Sequence, residues 1–204
     1  MGSVQTRMPR AVWLAVAVGI AARLAFALGY WVDKPLTHDE HEYLLLARNV
    51  AEGRGFVHLQ PDGTPVPGEH FGRAPVYPMF LAAVIRVTGA PPTADVPLLR
   101  AIRIVQAVLG GVLVWLVAWL AGRAAGPEAA RAGGWLAAVY PPLVWTPAYV
   151  WSETLFSVLA LATVAVLTLD RRRRGLYLAA GALAGLAVLT RPAMLFFLPL
   201  AALW

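Results

Sequence analysis

APVYPMFLAAVIRVTG, residues 74–89, decides the topology of this chain. It is apolar, but it is short, opens on Pro75 and Pro78, and carries Arg86. A helix crossing the roughly 30 Å hydrocarbon layer needs about 20 residues. The charges around it settle its placement. Arg7 and Arg10 precede the apolar run 11–30, and GRAAGPEAAR (122–131) and DRRRRG (170–175) are short basic connections. Short basic loops stay in the cytoplasm. If 74–89 crossed the membrane, both loops would lie outside. If it lies along the membrane surface, with Arg86 reaching toward headgroups, the N-terminus and every short basic loop fall inside. The second arrangement is the expected one.

Working outward, the spans are 11–30, 101–121, 132–148, 149–169 and 176–190, with a sixth beginning at 192 and cut by the chain end at 204. The expected fold class is an all-α integral membrane protein of five to six transmembrane helices in the plasma (inner) membrane, with residues 1–10 cytoplasmic. The composition agrees: 59% of residues are hydrophobic and 14% charged, against about 25% charged in soluble domains. There is no cysteine, which excludes disulfides and thiolate metal sites. The net charge of +6 comes from arginines scattered between apolar runs, which excludes a nucleic-acid patch as a partner surface. AFA at 25–27 resembles a leader-peptidase site, so a cleaved signal peptide is the rival reading of the first span.

The same topology leaves one outer loop, 31–100, with eight of the eleven acidic residues and all four histidines. Connections of this length usually have a function. Thr37 and Glu40 form a T-x-x-E capping box, and Gly53 and Gly55 supply a stop, which predicts a helix at about 37–52. A second helix is expected at about 74–87, with a turn at PDG (61–63) between them.

HDEHE, residues 38–42, is the densest ionisable cluster, and three readings compete for it. Asp39 and Glu40 could simply favour a helix N-terminus, where the macrodipole attracts negative charge. His38, His41 and Glu42 share a helix face and could hold a divalent metal with His58, Glu69 or His70, although no H-E-x-x-H order is present. Asp39 could be a general base, with Glu40 or Glu42 shaping its field. No other cofactor is called for.

Cations and a further acid fall on the same side. Arg73, Arg100, Arg103 and Arg191 stand at predicted outer ends, where they could anchor to lipid or bind a phosphate bidentately. Glu153, in YPPLVWTPAYVWSETLF (140–156), joins Asp39 there, either as function or as an N-terminal acid behind Ser152. GALAG (181–185) reads as a close-packing stripe. Arg23, about 10 Å below the end of its span, is expected to snorkel outward or pair with a carboxylate.

The order of HDEHEYLLLARNVAEGRGF, GRAPVYPMF, YPPLVWTPAYVWSETLF and LTRPAMLFFLPL resembles the glycosyltransferase C superfamily, specifically protein O-mannosyltransferases and aminoarabinose transferases. The resemblance covers residues 11–204. It implies transfer of a sugar from a polyprenyl-phosphate-linked donor to an acceptor glycan, lipid or protein on the non-cytoplasmic face. By position it implies Asp39, Glu40 and Glu153 as catalytic acids and Arg73 as the holder of the carrier phosphate, although RAPVYP stands where relatives often have two adjacent prolines. Arg191, Arg103 and Tyr77 complete the substrate-binding candidates. Such proteins are usually two or three times longer. The expectation is therefore an N-terminal transmembrane module that works with a C-terminal half or partner subunit. The alternative is an inactive truncated protein, or a lipid-phosphate- or metal-binding subunit.

Overall fold

A computed structural model describes residues 8–60, 62–66, 72–89, 95–169 and 174–203. Arg7, Glu69, His70 and the arginines at 171–173 lie outside them. Among the described residues the fold is helical, with one isolated antiparallel bridge between Leu59 and Pro65. The helices are α1 (Arg10–Ala25, prolonged by a π-helical turn Phe26–Tyr30), α2 (His38–Ala51), α3 (Val76–Thr88), α4 (Asp95–Val139), α5 (Pro141–Trp145), α6 (Glu153–Leu167), α7 (Arg174–Val188) and α8 (Phe197–Leu203).

Two of these are long and apolar enough to cross a membrane, Arg10–Tyr30 and Val96–Val139. The second is a hairpin. Ala125 and Gly126 leave helical geometry, Gly126 at φ 86°, and Pro127 restarts the helix. A left-handed glycine followed by proline is the expected way to stop one helix and begin another. The sequence pattern suggested a ten-residue connection at 122–131; the chain instead reverses within two residues. Small side chains allow this, because a Cβ on Gly122 would lie 3.0 Å from Ala130 and one on Gly133 would lie 3.1 Å from Ala121. The two limbs therefore pack closely right up to the turn.

The second limb ends at Val139, nine residues before the expected boundary at 148, because Pro141 and Pro142 cannot donate to a continuing helix. Residues 141–148 form α5 and a 3-10 turn instead. α6 spans 15 residues, shorter than the expected 149–169, whereas α7 has the expected length and starts and ends two residues earlier than 176–190. The run from Pro192 opens with a 3-10 turn before α8. α7 buries Ala180, Ala184 and Ala187. Gly181 and Gly185 face open space. The close-packing stripe thus lies one residue off GALAG, and the tight glycine contacts belong to α1 and α4.

α1 lies against both limbs of α4, burying Val12, Ala15 and Arg23. Arg23 neither snorkels nor meets a carboxylate. It donates to the carbonyls of Gly19 (2.8 Å), Ala138 (3.2 Å) and Ala137 (3.1 Å). In a continuing helix those last two carbonyls would accept from residues 141 and 142, both of which are prolines. Arg23 supplies the missing donors. Gly110 leaves room for it, since a Cβ there would sit 2.4 Å from Arg23 Cδ and Nε.

The chain passes back and forth between two ends. At one end Arg123 donates to the Thr168 carbonyl (2.8 Å), near the start of α1 and the Gly126 turn. At the other end α2 and α3 pack on the first limb of α4 through Tyr43, Leu44, Ala47, Tyr77, Leu81, Leu98 and Ile102. Arg86 does not extend away from the protein. It donates to the carbonyls of Val50 (3.0 Å) and Ala51 (3.2 Å), capping α2.

Candidate active site

Four segments far apart in sequence converge at the α2/α3 end, and each arrives there for a local reason. α2 begins with the expected capping box: Thr37 Oγ1 accepts from the Glu40 N–H, and Glu40 Oε2 accepts from the Thr37 N–H at 2.8 Å. The other Glu40 oxygen accepts the Val150 N–H at 2.8 Å, so a buried carboxylate ties the start of α2 to the segment before α6. α4 holds that segment from below. Gln106 Nε2 donates to the carbonyls of Pro147 (3.0 Å) and Tyr149 (2.7 Å), and Arg103 Nε to that of Ala148 (2.9 Å). The Val76 N–H donates to the Leu189 carbonyl (3.0 Å), which brings the entry to α3 against the end of α7.

The result is a cleft of about 180 Å³ lined by Asp39, Tyr43, Arg73, Trp151, Glu153, Thr190, Arg191 and their small neighbours. Its charges are paired. Arg73 bridges Asp39 and Glu42 and lies over the Tyr43 ring, its carbon 5.1 Å from the centroid. Arg191 NH1 pairs with Glu153 Oε1. Burial works against the Arg73 charge, but hydrogen bonds and attraction from Asp39 and Glu42 outweigh it and raise its pKa. Asp39 remains half-exposed, with a side chain 51% accessible, and offers only Oδ1 to Arg73.

Of the candidates named from sequence, Asp39, Arg73, Glu153 and Arg191 line this cleft. Glu40, Tyr77 and Arg103 do not. Glu40 has both oxygens occupied by the cap and the Val150 N–H. Tyr77 is fully buried, donates to Gln106 Oε1 (2.8 Å) and meets Tyr43 edge-on at 4.8 Å. Burial pushes its phenol well above the ordinary range, so it stays neutral. Arg103 Nε donates to the main-chain carbonyl of Ala148.

The sequence reading missed Tyr43 and Trp151. Tyr43 stands four residues after Asp39, one helical turn along the same face. Trp151 Nε1 donates to Thr37 Oγ1 at 3.3 Å, and Tyr43 OH donates to Ser152 Oγ at 3.3 Å. Spacing could have revealed the first; the second depends on a tertiary contact.

His38, His41, Glu42 and His58 line a separate cleft, with Glu42 also reached by Arg73, and His38 Nε2 lies 3.6 Å from Glu42 Oε1. Among the described residues no three His, Asp or Glu side chains are placed to hold a metal ion.

The fold presents acids and arginines together at one end of an apolar helical protein, and the order of its motifs resembles that of the membrane glycosyltransferases of the C superfamily. Comparison makes this definite: a family model described as dolichyl-phosphate-mannose-protein mannosyltransferase matches residues 72–204, and the chain belongs to that family. The match includes Arg73, Glu153 and Arg191 but begins after Asp39 and Glu40. No curated protein and no solved structure matches the chain.

Proposed function

We propose that the protein transfers a sugar from a polyprenyl-phosphate-linked donor to an acceptor hydroxyl in the cleft between Asp39 and Arg191. The observation that carries this reading is the meeting of Asp39, Arg73, Glu153 and Arg191 from four segments in one cleft. Asp39 takes the acceptor proton while the acceptor oxygen bonds to the sugar carbon. The bond from that carbon to the phosphate oxygen breaks, and the carrier leaves as its phosphate. Cations beside the leaving oxygens favour this step because charge builds there in the transition state.

The two arginines divide the work. Arg73 uses Nε on Glu42 and NH2 on Asp39 and so aims the base. Arg191 meets one carboxylate oxygen through NH1 and has more donors left for a phosphate. Glu40, Arg103 and Gln106 position the walls. In titrations with polyprenyl phosphate, Arg191→Ala should weaken binding by roughly 10- to 100-fold, the worth of a charge-assisted contact, and Lys should restore only part of it. Arg73→Ala should lower turnover more than it weakens donor binding. Unchanged binding in Arg191→Ala, with loss in Arg73→Ala, would exchange the two roles.

The cleft lies on the non-cytoplasmic side in this reading, with α1, both limbs of α4, α6 and α7 crossing and α3 lying along the surface. Arg10, Arg123, Arg131 and Arg174 at the opposite end support it, because short basic ends stay inside. The chain lacks cysteine, so single cysteines can report sidedness. An impermeant thiol reagent applied to intact cells should label a cysteine at exposed Asp62 and spare one at exposed Glu128. The reverse pattern would invert the topology.

A further inference from the structure

The lining of the cleft between Asp39 and Arg191 includes two aromatic side chains, Tyr43 and Trp151, and they are used differently. Tyr43 is buried, has Arg73 over its ring and meets Tyr77 edge-on. Trp151 is half-buried and belongs to a stack. Its ring lies 4.1 Å from that of Tyr149 with the planes 18° apart, and Tyr149 packs in turn on Trp31 at 4.6 Å. Tyr149 therefore backs one face of the indole. Tyr149 is not part of the cleft lining, so the cleft meets the indole away from that backing. The segment that carries these rings is fastened at three successive residues. The Tyr149 carbonyl accepts from Gln106 Nε2 (2.7 Å), the Val150 N–H donates to Glu40 (2.8 Å), and Trp151 Nε1 donates to Thr37 Oγ1 (3.3 Å).

Tryptophan is common at the outer rim of membrane proteins, where its ring sits at the level of the lipid headgroups. Trp151 departs from that pattern. Its N–H is bound inside the protein, and its ring borders a cleft otherwise rich in charged side chains. A flat apolar ring among charges suits a ligand that is itself two-sided. A pyranose is such a ligand: its rim of hydroxyls bonds to charged groups, while axial C–H groups on one face carry partial positive charge and lie against the negative face of an aromatic ring. Position decides which sugar. Trp151 stands two residues before Glu153, the partner of Arg191, and its indole is bound to Thr37, two residues before Asp39. The ring is thus tied to both the phosphate side and the base side. The transferred sugar must lie between those sides for its carbon to exchange one oxygen for the other.

We propose that Trp151 is the platform on which the transferred sugar stacks, and that it selects a pyranose with an unobstructed C–H face. The transfer role rests on the function proposed above; contact between a pyranose and Trp151 does not. Calorimetry on the purified full chain in detergent compares bare polyprenyl phosphate with the same carrier bearing mannose or glucose. At least one sugar-bearing carrier should bind about three- to tenfold tighter than the bare one, the worth of an aromatic stacking contact. Trp151→Leu, which keeps apolar bulk without a ring, should erase that difference and leave bare-carrier affinity unchanged. Trp151→Phe, which keeps a ring against Tyr149, should reduce the difference by roughly half and carries the test even if the Leu variant fails to fold. A second measurement needs no carrier. In saturation-transfer NMR, methyl mannoside or methyl glucoside should receive most saturation at the C3 and C5 hydrogens, which share one ring face, and either substitution should weaken it. Equal affinity of bare and sugar-bearing carriers would overturn the inference. So would a sugar preference unchanged by either substitution, or an equal loss for both kinds of carrier, the mark of a merely structural role. A wild-type chain that binds no carrier yet keeps the C3 and C5 contact would sink the donor reading and leave the platform standing.

Discussion

Asp39→Asn is expected to lower sugar transfer by the active enzyme about 10²- to 10⁴-fold, the usual contribution of a positioned general base. Asn retains an oxygen that can accept from Arg73, as Asp39 Oδ1 does, but it cannot take a proton. Expression and binding of polyprenyl phosphate should stay close to wild type. The competing accounts of this carboxylate predict otherwise. Thr37 is the N-cap and Glu40 closes the box, so Asp39 contributes to helix stability only through the macrodipole, at most about 1 kcal/mol. If capping were its whole role, the Asn variant would be nearly silent in transfer. If His38, His41 and Glu42 held an essential metal, a chelator would abolish transfer in the wild type, and added metal would restore it. Initial rates for wild type and Asp39→Asn, with and without chelator, separate the three.

Arg23→Leu is expected to be the most damaging single change to the fold. Leucine fills much of the space but leaves the Ala137 and Ala138 carbonyls without the donors that Arg23 supplies. Each buried unsatisfied group costs about 1–3 kcal/mol, and apolar surroundings offer no water in its place. Burying a guanidinium is itself costly, so removing it returns part of the loss. A net destabilisation of about 2–4 kcal/mol follows, visible as a lower unfolding temperature in detergent. Lys should recover only part, since a single ammonium cannot match the two-nitrogen reach to Ala137 and Ala138. Gly110→Ala offers an independent check, because its methyl group would push into Arg23 Cδ and Nε. Wild-type stability in both variants would show that those carbonyls do not depend on Arg23.

The same residues show what the sequence could and could not reveal. Local signals were legible because their partners are neighbours. The Thr37–Glu40 box starts α2 as expected. Gly53 and Gly55 take positive φ just past its end, and Gly63 does so in the PDG turn. The order of acidic and basic positions pointed to Asp39, Arg73, Glu153 and Arg191, and the fold brings these four to one cleft. Partners that lie far along the chain were not legible. Arg23 looked like a snorkelling charge because its acceptors are 114 and 115 residues away. Those acceptors are free only because two prolines follow them. Glu40 was expected as a catalytic acid from the family resemblance, and Arg103 and Tyr77 as substrate contacts. In the fold they reach instead Val150, Ala148 and Gln106, respectively. Sequence gives position along a helix, but not which of two inward neighbours a polar head will reach.

In the proposed function the cleft between Asp39 and Arg191 receives the phosphate of the lipid carrier. Photo-crosslinking with a polyprenyl phosphate bearing a diazirine beside its phosphate tests this most directly, with the modified peptides read by mass spectrometry. Label is expected on residues 151–153 and 190–192, suppressed by excess unmodified polyprenyl phosphate and reduced in Arg191→Ala. Label confined to the opposite end around Met8 and Arg123, or label at the cleft that excess carrier does not displace, would contradict it.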